Sequence, residues 1–257
     1  MNIKNKIVEL NRISLKYHTP KKEILVLDNL NLDIYEREFV TIVGPSGCGK
    51  STTLSLISGL ITPSLGKIFI NGKSLNSINS KTAYMLQRDY LFNWRTIEEN
   101  VMLGLEIRKI LLKSNKKYAL RLLKKYGLKK FLECYPYQIS GGMRQKAALI
   151  RTLAVKPEIL LLDEPFSALD YQTRITISEE VKQIINEENK TAVLVSHDIS
   201  EAIFLSDRVV VFSNRPSKVQ RILKIEFDEN TLTVREKRNH KKFNEYFEII
   251  WNELNKK

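Results

Sequence analysis

A glycine-rich segment followed directly by lysine and serine is the clearest chemical feature of the sequence. The segment Gly44–Ser51 reads G-P-S-G-C-G-K-S and follows a short apolar run. Small residues at this spacing let backbone N–H groups surround phosphate oxygens, and the N-terminus of a following helix adds its positive dipole end. Lys50 is expected to contact the β and γ phosphates of a nucleotide, and Ser51 to bind Mg²⁺. The alternative is a glycine-rich turn that binds nothing.

The phosphate-binding assignment covers a continuous stretch of the chain. Its residues are Gly44, Pro45, Ser46, Gly47, Cys48, Gly49, Lys50, Ser51 and Thr52. The thiol of Cys48 has two interpretations: a group whose alkylation would block nucleotide binding, or an inert small side chain. Cys48 and Cys134 are far apart in the sequence and are expected to be reduced thiols.

A pair of acids at the end of an apolar run is the second chemical feature. Asp163 and Glu164 follow Ile159–Leu162 directly. A buried strand would deliver them at its carboxyl end, where ligands bind in parallel sheets. Asp163 suits the magnesium shell, and Glu164 suits a general base that polarises water. Taken alone, the pair is better explained as an acidic turn after a strand; together with the glycine-rich segment it predicts hydrolysis of a nucleoside triphosphate.

The elements that must position these residues alternate along the chain. Strands are predicted at Ile13–Tyr17, Leu30–Ile34, Phe39–Val43, Lys67–Ile70, Ala83–Leu86, Ile159–Leu162, Ala192–Val195 and Arg208–Phe212. Helices are predicted at Lys50–Ser58, from a capping box at Thr96–Glu99, at Asn115–Tyr126, at Met143–Val155, at Tyr171–Asn186, after Asp198 and at Phe243–Leu254. This alternation predicts an α/β fold with a largely parallel sheet.

The segment Ile139–Gln145 indicates which family of nucleoside triphosphatases the chain resembles. It reads I-S-G-G-M-R-Q at the start of a predicted helix, where free N–H groups and a serine hydroxyl can bind an anion. An ordinary helix cap is the alternative. With the two features above, the segment resembles the LSGGQ signature of ATP-binding subunits of ABC transporters, over about residues 5–215. Ile139 and Met143 depart from that signature, which leaves side-chain contacts at Met143 open.

Further residues match the family in chain order. Gln87 looks like its Q-loop glutamine, Asp170 like its D-loop aspartate, His197 like its switch histidine and Tyr17 like the aromatic residue that stacks on adenine. The resemblance implies a P-loop NTPase core with an N-terminal antiparallel β portion and an inserted helical lobe. It implies one ABC ATPase domain over residues 1–257: a nucleotide-binding core at 1–87 and 141–215, a helical lobe at 88–140, and a C-terminal hairpin and amphipathic helix at 216–257.

The resemblance also implies a mechanism. ATP and Mg²⁺ are the expected cofactors, and the chain is expected to form a homodimer on ATP binding. Ser140, Gly141 and Gly142 of one subunit would contact the ATP held by the other, and Asp170 would link the two sites. The implied catalytic residues are Glu164, His197 and Gln87, and the implied magnesium ligands are Ser51, Gln87 and Asp163.

The resemblance points further to an importer of the nitrate, sulfonate and taurine type. The segment Met85–Val101 is similar to those subunits, which commonly have Leu-Pro-Trp where this chain has Phe92-Asn93-Trp94. Importers of thiamine precursors and riboflavin are alternatives for the cargo. Separate transmembrane permease subunits and an extracytoplasmic solute-binding protein are the implied partners. The expected location is the cytoplasmic face of the cell membrane, as a peripheral subunit.

The composition of the chain excludes some other classes of protein and leaves two alternative functions. The 257 residues are 43% hydrophobic, which excludes a disordered chain, and no apolar run is long enough for a membrane helix. The formal net charge is +13, of which Arg108–Lys130 supplies ten positive charges and no negative one. That basic run suits either attraction to anionic headgroups or a solvated helical face. An ABC-type ATPase acting on nucleic acid or ribosomes is the alternative function, and a P-loop small-molecule kinase is a third.

No nucleic-acid partner is expected, because the chain has neither two cassettes, a long coiled coil nor zinc-binding cysteines. The C-terminal helix is expected to pack either on the body of the protein or on a partner. In the first case, Phe247 and Trp251 would be core anchors.

Overall fold

Strands and helices alternate along the chain in the computed structural model, which describes residues 5–18, 20, 22–228 and 234–256. The strands are β1 (Lys6–His18), β2 (Glu23–Tyr35), β3 (Phe39–Val43), β4 (Leu65–Ile70), β5 (Lys73–Ser74), β6 (Thr82–Met85), β7 (Ile159–Asp163), β8 (Thr191–Val195), β9 (Arg208–Phe212) and β10 (Val219–Lys224). The helices are α1 (Lys50–Ser58), α2 (Ile97–Ile107), α3 (Lys113–Lys125), α4 (Gly141–Ala154), α5 (Tyr171–Glu187), α6 (Ile199–Leu205), α7 (Val234–Asn239) and α8 (Lys241–Leu254).

The chain forms two compact units, and the first comprises Met1–Asn79 with Thr191–Lys257. Its first sheet is antiparallel, in the order β2-β1-β4-β5. In its second group of strands, β3 is parallel to both β8 and β9, and β10 pairs antiparallel with β9. The predicted α/β class with an antiparallel N-terminal portion is therefore confirmed.

The strand and helix that flank the glycine-rich segment form as the sequence predicts. All five residues of β3 are buried, because its apolar side chains lie inside the unit. The chain then turns through Gly44–Gly49 and enters α1 at Lys50. The helix ends at Gly59, whose φ of 76° is a left-handed conformation that glycine adopts readily.

The second unit, Ser80–Lys190, is built on a parallel strand pair and four helices. β6 and β7 pair in register from Thr82 opposite Ile159 to Met85 opposite Leu162. The four apolar residues Ile159–Leu162 are completely buried, which confirms the predicted core strand. α2 begins with the predicted capping box: Glu99 N–H donates to the Thr96 hydroxyl, and the Glu99 carboxylate accepts from Thr96 N–H.

A buried asparagine fixes the segment that leads into α2. The side chain of Asn100 is fully buried, and its Oδ1 accepts from Phe92 N–H at 2.7 Å. Its Nδ2 lies 3.1, 3.0 and 2.9 Å from the carbonyl oxygens of Phe92, Arg95 and Thr96. One amide thus pairs with Phe92 N–H and the Arg95 carbonyl oxygen, and it adds a second donor to the carbonyl oxygens of Phe92 and Thr96, which also accept backbone hydrogen bonds.

Asn100→Ala is expected to lower the free energy of unfolding by about 3 kcal/mol, because it removes a buried amide and leaves Phe92 N–H and the Arg95 carbonyl oxygen without their side-chain partner. Denaturant unfolding followed by circular dichroism measures this change. Asn93→Ala is the matched control, since Asn93 is exposed in the same segment. Equal stability of the two variants would contradict the anchoring role of Asn100.

The C-terminal helix α8 corrects one sequence expectation. Phe243 and Ile250 are buried, and Phe243 stacks on Phe204 of α6 with ring centroids 5.0 Å apart. Trp251 is 55% exposed, so the expectation that it anchors the core is wrong. Adjacent helical residues differ by about 100° around the axis, so burial of Ile250 turns Trp251 toward the edge of the buried stripe. Phe247 is half-buried and stacks on Trp251.

Other differences from the predicted elements are small. β1 and β2 each span 13 residues, longer than predicted, with register shifts along their pairing. The helix α7 was not predicted. Within the described ranges, every helix is too short or too polar to cross a bilayer.

Candidate nucleotide-binding site

The glycine-rich segment has a backbone that larger residues would disturb. Gly49 has a φ of 105°, and a Cβ built on it would lie 2.9 Å from side-chain atoms of both Val26 and Leu27. Any side chain at this position would therefore be strained and would also push against these two side chains of strand β2. Gly49 is also the residue that caps α1, and as a glycine it places no capping side chain over the first N–H groups of that helix. A helix N-terminus of this kind favours an anion.

Lys50 is held over the same segment. Its side chain is buried, and Nζ donates to the carbonyl oxygens of Gly44 at 2.7 Å and Pro45 at 3.0 Å. An ammonium group folded back onto the loop and the positive dipole end of α1 both favour negative charge at this position. This donor set fits the phosphates of a nucleotide.

Arg215 restrains the phosphate-binding loop from a distant part of the chain. Its guanidinium donates to the carbonyl oxygen of Gly47 through Nε at 3.0 Å and also through Nη2. Sequence reasoning missed this residue, because it lies 168 positions from Gly47 and belongs to no recognised motif. Within the first unit, Arg215 is therefore a candidate for positioning the loop.

The remaining phosphate-segment residues differ in exposure. Ser46 and Ser51 are exposed, and Thr52 is half-buried. Cys48 is 1% exposed, which favours the inert interpretation over ready alkylation. Cys48 and Cys134 are both free thiols, as expected.

His197 and Tyr17 lie on other parts of the first unit. Tyr17 is 43% exposed near the end of β1, so part of its side chain is accessible. His197 is exposed at the end of β8, one residue before α6 is capped by Asp198. The neighbouring Ser196 hydroxyl accepts from Asp198 N–H at 3.0 Å and donates to the buried carboxylate of Glu201. These bonds fix the backbone on both sides of His197.

The two acids and the Q-loop glutamine lie together in the second unit. Asp163 is the last residue of β7, and its Oδ2 accepts from the Tyr84 hydroxyl at 3.0 Å. Glu164 follows with a φ of 44°, a left-handed conformation that is uncommon for glutamate. Gln87 Nε2 donates to Glu164 Oε2 at 3.2 Å and to Ser167 Oγ at 3.4 Å. The structure therefore brings Gln87 to Glu164, although 77 residues separate them in the chain.

Ser140–Gly142 forms the N-terminus of α4. The Ser140 side chain is exposed and accepts from Met143 N–H at 3.3 Å, so Ser140 is also an ordinary helix cap. A Cβ at Gly142 would lie 2.9 Å from Ile177 Cδ1, so the absence of a side chain permits close packing of α4 on α5. A Cβ at Gly141 would meet only ordinary contacts.

Asp170 caps the next helix. Its Oδ1 accepts from Thr173 N–H at 3.1 Å at the start of α5. The hydrogen bonds from Thr173 hold the pKa of Asp170 below its usual value, so the group is a carboxylate at neutral pH.

Two arginines that sequence reasoning missed join α4 to the segment after Gln87. Arg144 Nε donates to Asp89 Oδ2 at 3.1 Å. Arg151 donates to the carbonyl oxygens of Asp89 at 2.6 Å and Tyr90 at 2.8 Å, and its burial lowers its pKa. The only sequence signal was that Arg144 lies inside the signature segment.

Each residue predicted to bind Mg²⁺ has a side chain of a suitable type. Ser51 and Gln87 each offer a neutral oxygen and Asp163 offers a carboxylate, the ligand types that Mg²⁺ binds. Across the described ranges, no group of three or more histidine, cysteine or acidic residues is placed to hold a metal by itself. Mg²⁺ usually keeps water and substrate phosphate oxygens as ligands, so a small protein donor set is compatible with it.

Comparisons with known proteins agree with these residues. Residues 27–167 match the ABC transporter family. An uncharacterized ABC transporter ATP-binding protein of Bacillus subtilis, YtlC, is 44% identical over 96% of this chain and 95% of its own length. The aliphatic sulfonates import ATP-binding protein SsuB of Bacillus cereus is 37% identical over 93% of this chain and 92% of its own length.

Solved structures extend the comparison to the fold. The dimeric ATP-binding cassette MJ0796, in a post-hydrolysis state bound to ADP and Pi, matches with a TM-score of 0.72 and 33% identity, over 86% of this chain and 99% of that chain. A second dimeric structure of MJ0796, titled a bacterial ABC transporter cassette, has a TM-score of 0.73. The glycine-rich loop, the paired acids and these matches lead to one conclusion: the chain belongs to the ABC transporter family, as an ATP-binding cassette with ATPase activity.

Proposed function

We propose that this chain is the ATP-hydrolysing subunit of a bacterial importer of the nitrate, sulfonate and taurine type. The observation that carries the proposal is the similarity to SsuB, an aliphatic sulfonates importer subunit, over nearly the whole chain. YtlC is more similar but uncharacterized, so the cargo class rests on SsuB and on the Phe92-Asn93-Trp94 segment. Thiamine precursor and riboflavin stay alternative cargoes.

The proposed roles follow from the chemistry of each residue. Lys50 and the N–H groups of Gly44–Ser51 bind the phosphates, and Tyr17 stacks on adenine. Ser51, Gln87 and Asp163 would hold Mg²⁺, which when bound neutralises phosphate charge. Glu164 accepts the proton of the attacking water, with Gln87 orienting its carboxylate as in the 3.2 Å hydrogen bond. His197 contacts the γ-phosphate.

The proposed working unit is a homodimer that closes on ATP. In it Ser140, Gly141 and Gly142 contact the nucleotide bound by the partner, and Asp170 links the two sites. The dimeric MJ0796 structures support this assembly. Closure depends on contacts that exist only with the γ-phosphate present, so hydrolysis removes them and the dimer reopens. The proposed domain division is a core at 1–87 and 141–215, a lobe at 88–140 and a C-terminal part at 216–257.

The proposed partners are separate transmembrane permease subunits and, through them, an extracytoplasmic solute-binding protein. The proposed location is the cytoplasmic face of the membrane. Purification of tagged protein from native membranes in mild detergent tests both, with partners identified by mass spectrometry. A co-purified multi-span protein supports the proposal. Recovery of ribosomes or nucleic acid without a membrane protein would contradict it and favour the alternative ABC-type ATPase.

The cargo is tested on the purified complex reconstituted in vesicles. Binding protein loaded with an alkanesulfonate is expected to stimulate ATP hydrolysis. Stimulation by a thiamine precursor or riboflavin instead would replace the proposed cargo while leaving the importer assignment intact.

Arg215→Ala is expected to weaken ATP binding by about tenfold, because charged hydrogen bonds to the loop carbonyl of Gly47 are lost and the loop must be ordered on binding. Titration with a fluorescent ATP analogue measures the dissociation constant. Lys218→Ala is the matched control, because Lys218 lies near Arg215 and pairs with Asp28 instead. Unchanged affinity in Arg215→Ala would show that Gly47 needs no such restraint.

A further inference from the structure

The turn between α2 and α3 exposes large aliphatic side chains. Ile107 is 71% exposed, Leu111 47% and Leu112 61%. All three lie within six consecutive residues. Neighbouring aliphatic groups in water form an apolar surface, and covering that surface with another apolar phase lowers the free energy.

The same turn carries cations without a protein counter-ion. Lys109, Lys113 and Lys117 are exposed, and none of them forms an ion pair with another residue of the described ranges. Lys113 and Lys117 are four residues apart on α3, so they lie on one side of that helix. The turn therefore combines apolar groups with uncompensated positive charge.

Other members of the basic run have protein partners. Lys125 pairs with Glu187 at 2.8 Å, and Arg121 lies 3.6 Å from Glu188. Lys116 pairs with Glu98 at 3.3 Å. These cations fasten α3 to other helices of the same unit, whereas the lysines of the turn do not. The basic run thus has a structural part and a part whose charge is available to a partner.

We propose that the turn and the first helical turn of α3, Ile107–Lys117, form a contact for the surface of an anionic lipid bilayer. The aliphatic side chains would enter the boundary between headgroups and acyl chains, and the three lysines would contact headgroup phosphates. Charge complementarity selects this occupant, because no acidic residue occurs between Arg108 and Lys130. The contact goes beyond the proposed function, since it binds lipid directly and needs neither ATP nor a permease.

Co-sedimentation of the purified full-length protein with lipid vesicles tests the proposal. The protein is expected to bind vesicles of phosphatidylglycerol mixed equally with phosphatidylcholine, and to bind pure phosphatidylcholine vesicles far less. The triple variant Lys109→Gln, Lys113→Gln, Lys117→Gln is expected to lower the partition coefficient about a hundredfold at low salt, since each lysine near the surface contributes about fivefold.

A matched variant removes the same charge elsewhere. Lys124, Lys129 and Lys130 are exposed, and Lys124 lies about 16 Å along α3 from Lys113 and about 10 Å from Lys117. Lys129 and Lys130 follow the end of α3. The two sets are therefore separated by about one Debye length in 0.1 M salt or more, so Lys124→Gln, Lys129→Gln, Lys130→Gln is expected to retain most vesicle binding. Equal losses in both triple variants would overturn the assignment to the turn.

The aliphatic residues are tested separately from the charge. The triple variant Ile107→Gln, Leu111→Gln, Leu112→Gln keeps the lysines, so it is expected to bind anionic vesicles at low salt. It is expected to lose the part of wild-type binding that remains at high salt, because that part depends on the aliphatic side chains. Normal ATP hydrolysis shows that each variant is folded. If the wild-type protein does not bind anionic vesicles, the proposal is overturned. It is also overturned if the lysines of the turn bind RNA or a permease and do not bind lipid. A failed importer assignment would leave vesicle binding unchanged, so the two proposals fail separately.

Discussion

Glu164→Gln is expected to lose ATP hydrolysis while still binding ATP. The amide has the same shape as the carboxylate and can still accept the hydrogen bond that Gln87 donates at 3.2 Å. It cannot take a proton from water at neutral pH, so turnover should fall by about a hundred- to ten-thousand-fold, the usual contribution of a general base. Because the γ-phosphate persists, the variant should accumulate as a dimer. Phosphate release and light scattering measure the two effects.

The matched control is Glu158→Gln in the same unit. Glu158 lies just before β7 and pairs with Lys81 at the surface, so its loss should leave turnover and dimerisation unchanged. Ordinary hydrolysis by Glu164→Gln would exclude Glu164 as the base. Loss of ATP binding in that variant would instead indicate that the charge, and not the proton transfer, was needed.

Ser140→Arg is expected to abolish the ATP-dependent dimer while sparing ATP binding by the monomer. Ser140 is exposed at the N-terminus of α4, where a long side chain occupies space that the partner's nucleotide would need. Dimer formation is best measured in the Glu164→Gln background, because hydrolysis cannot then reopen the dimer. Loss of the helix cap costs about 1 kcal/mol, too little to unfold the protein.

Thr96→Arg separates cap loss from loss of the interface. Thr96 caps α2 as Ser140 caps α4, so both variants lose a comparable contact within the second unit. The Thr96 variant is expected to dimerise normally with ATP. If the Ser140 variant forms dimers at the same ATP concentration as the wild-type protein, the proposed contact between Ser140 and the partner's nucleotide is ruled out.

Local chemistry explains why much of the fold could be predicted. β3 matched its predicted bounds because a buried apolar run ends at a glycine-rich turn, and both signals are local. α1 ended as predicted because Gly59 adopts a left-handed conformation. α2 began at its capping box because Thr96 and Glu99 satisfy each other's backbone groups. The motif residues were found through their types and order alone.

Contacts between distant parts of the chain could not be predicted in the same way. Nothing near Arg215 in the sequence indicates that its guanidinium bonds to Gly47. The periodicity of α8 showed which residues share a face, but not how wide the buried stripe is, so Trp251 was misplaced.

The bonds around Gln87–Phe92 have a mechanical consequence. The Gln87 end is bonded to Glu164 after β7, the middle is bonded to α4 through Arg151, and Phe92 is bonded to Asn100 in α2. A segment that is held by hydrogen bonds at each end and at its centre bends little, so a displacement at one end is expected to move the other end. Movement imposed at its Phe92 end is therefore expected to shift the Gln87 amide that bonds to the carboxylate of Glu164.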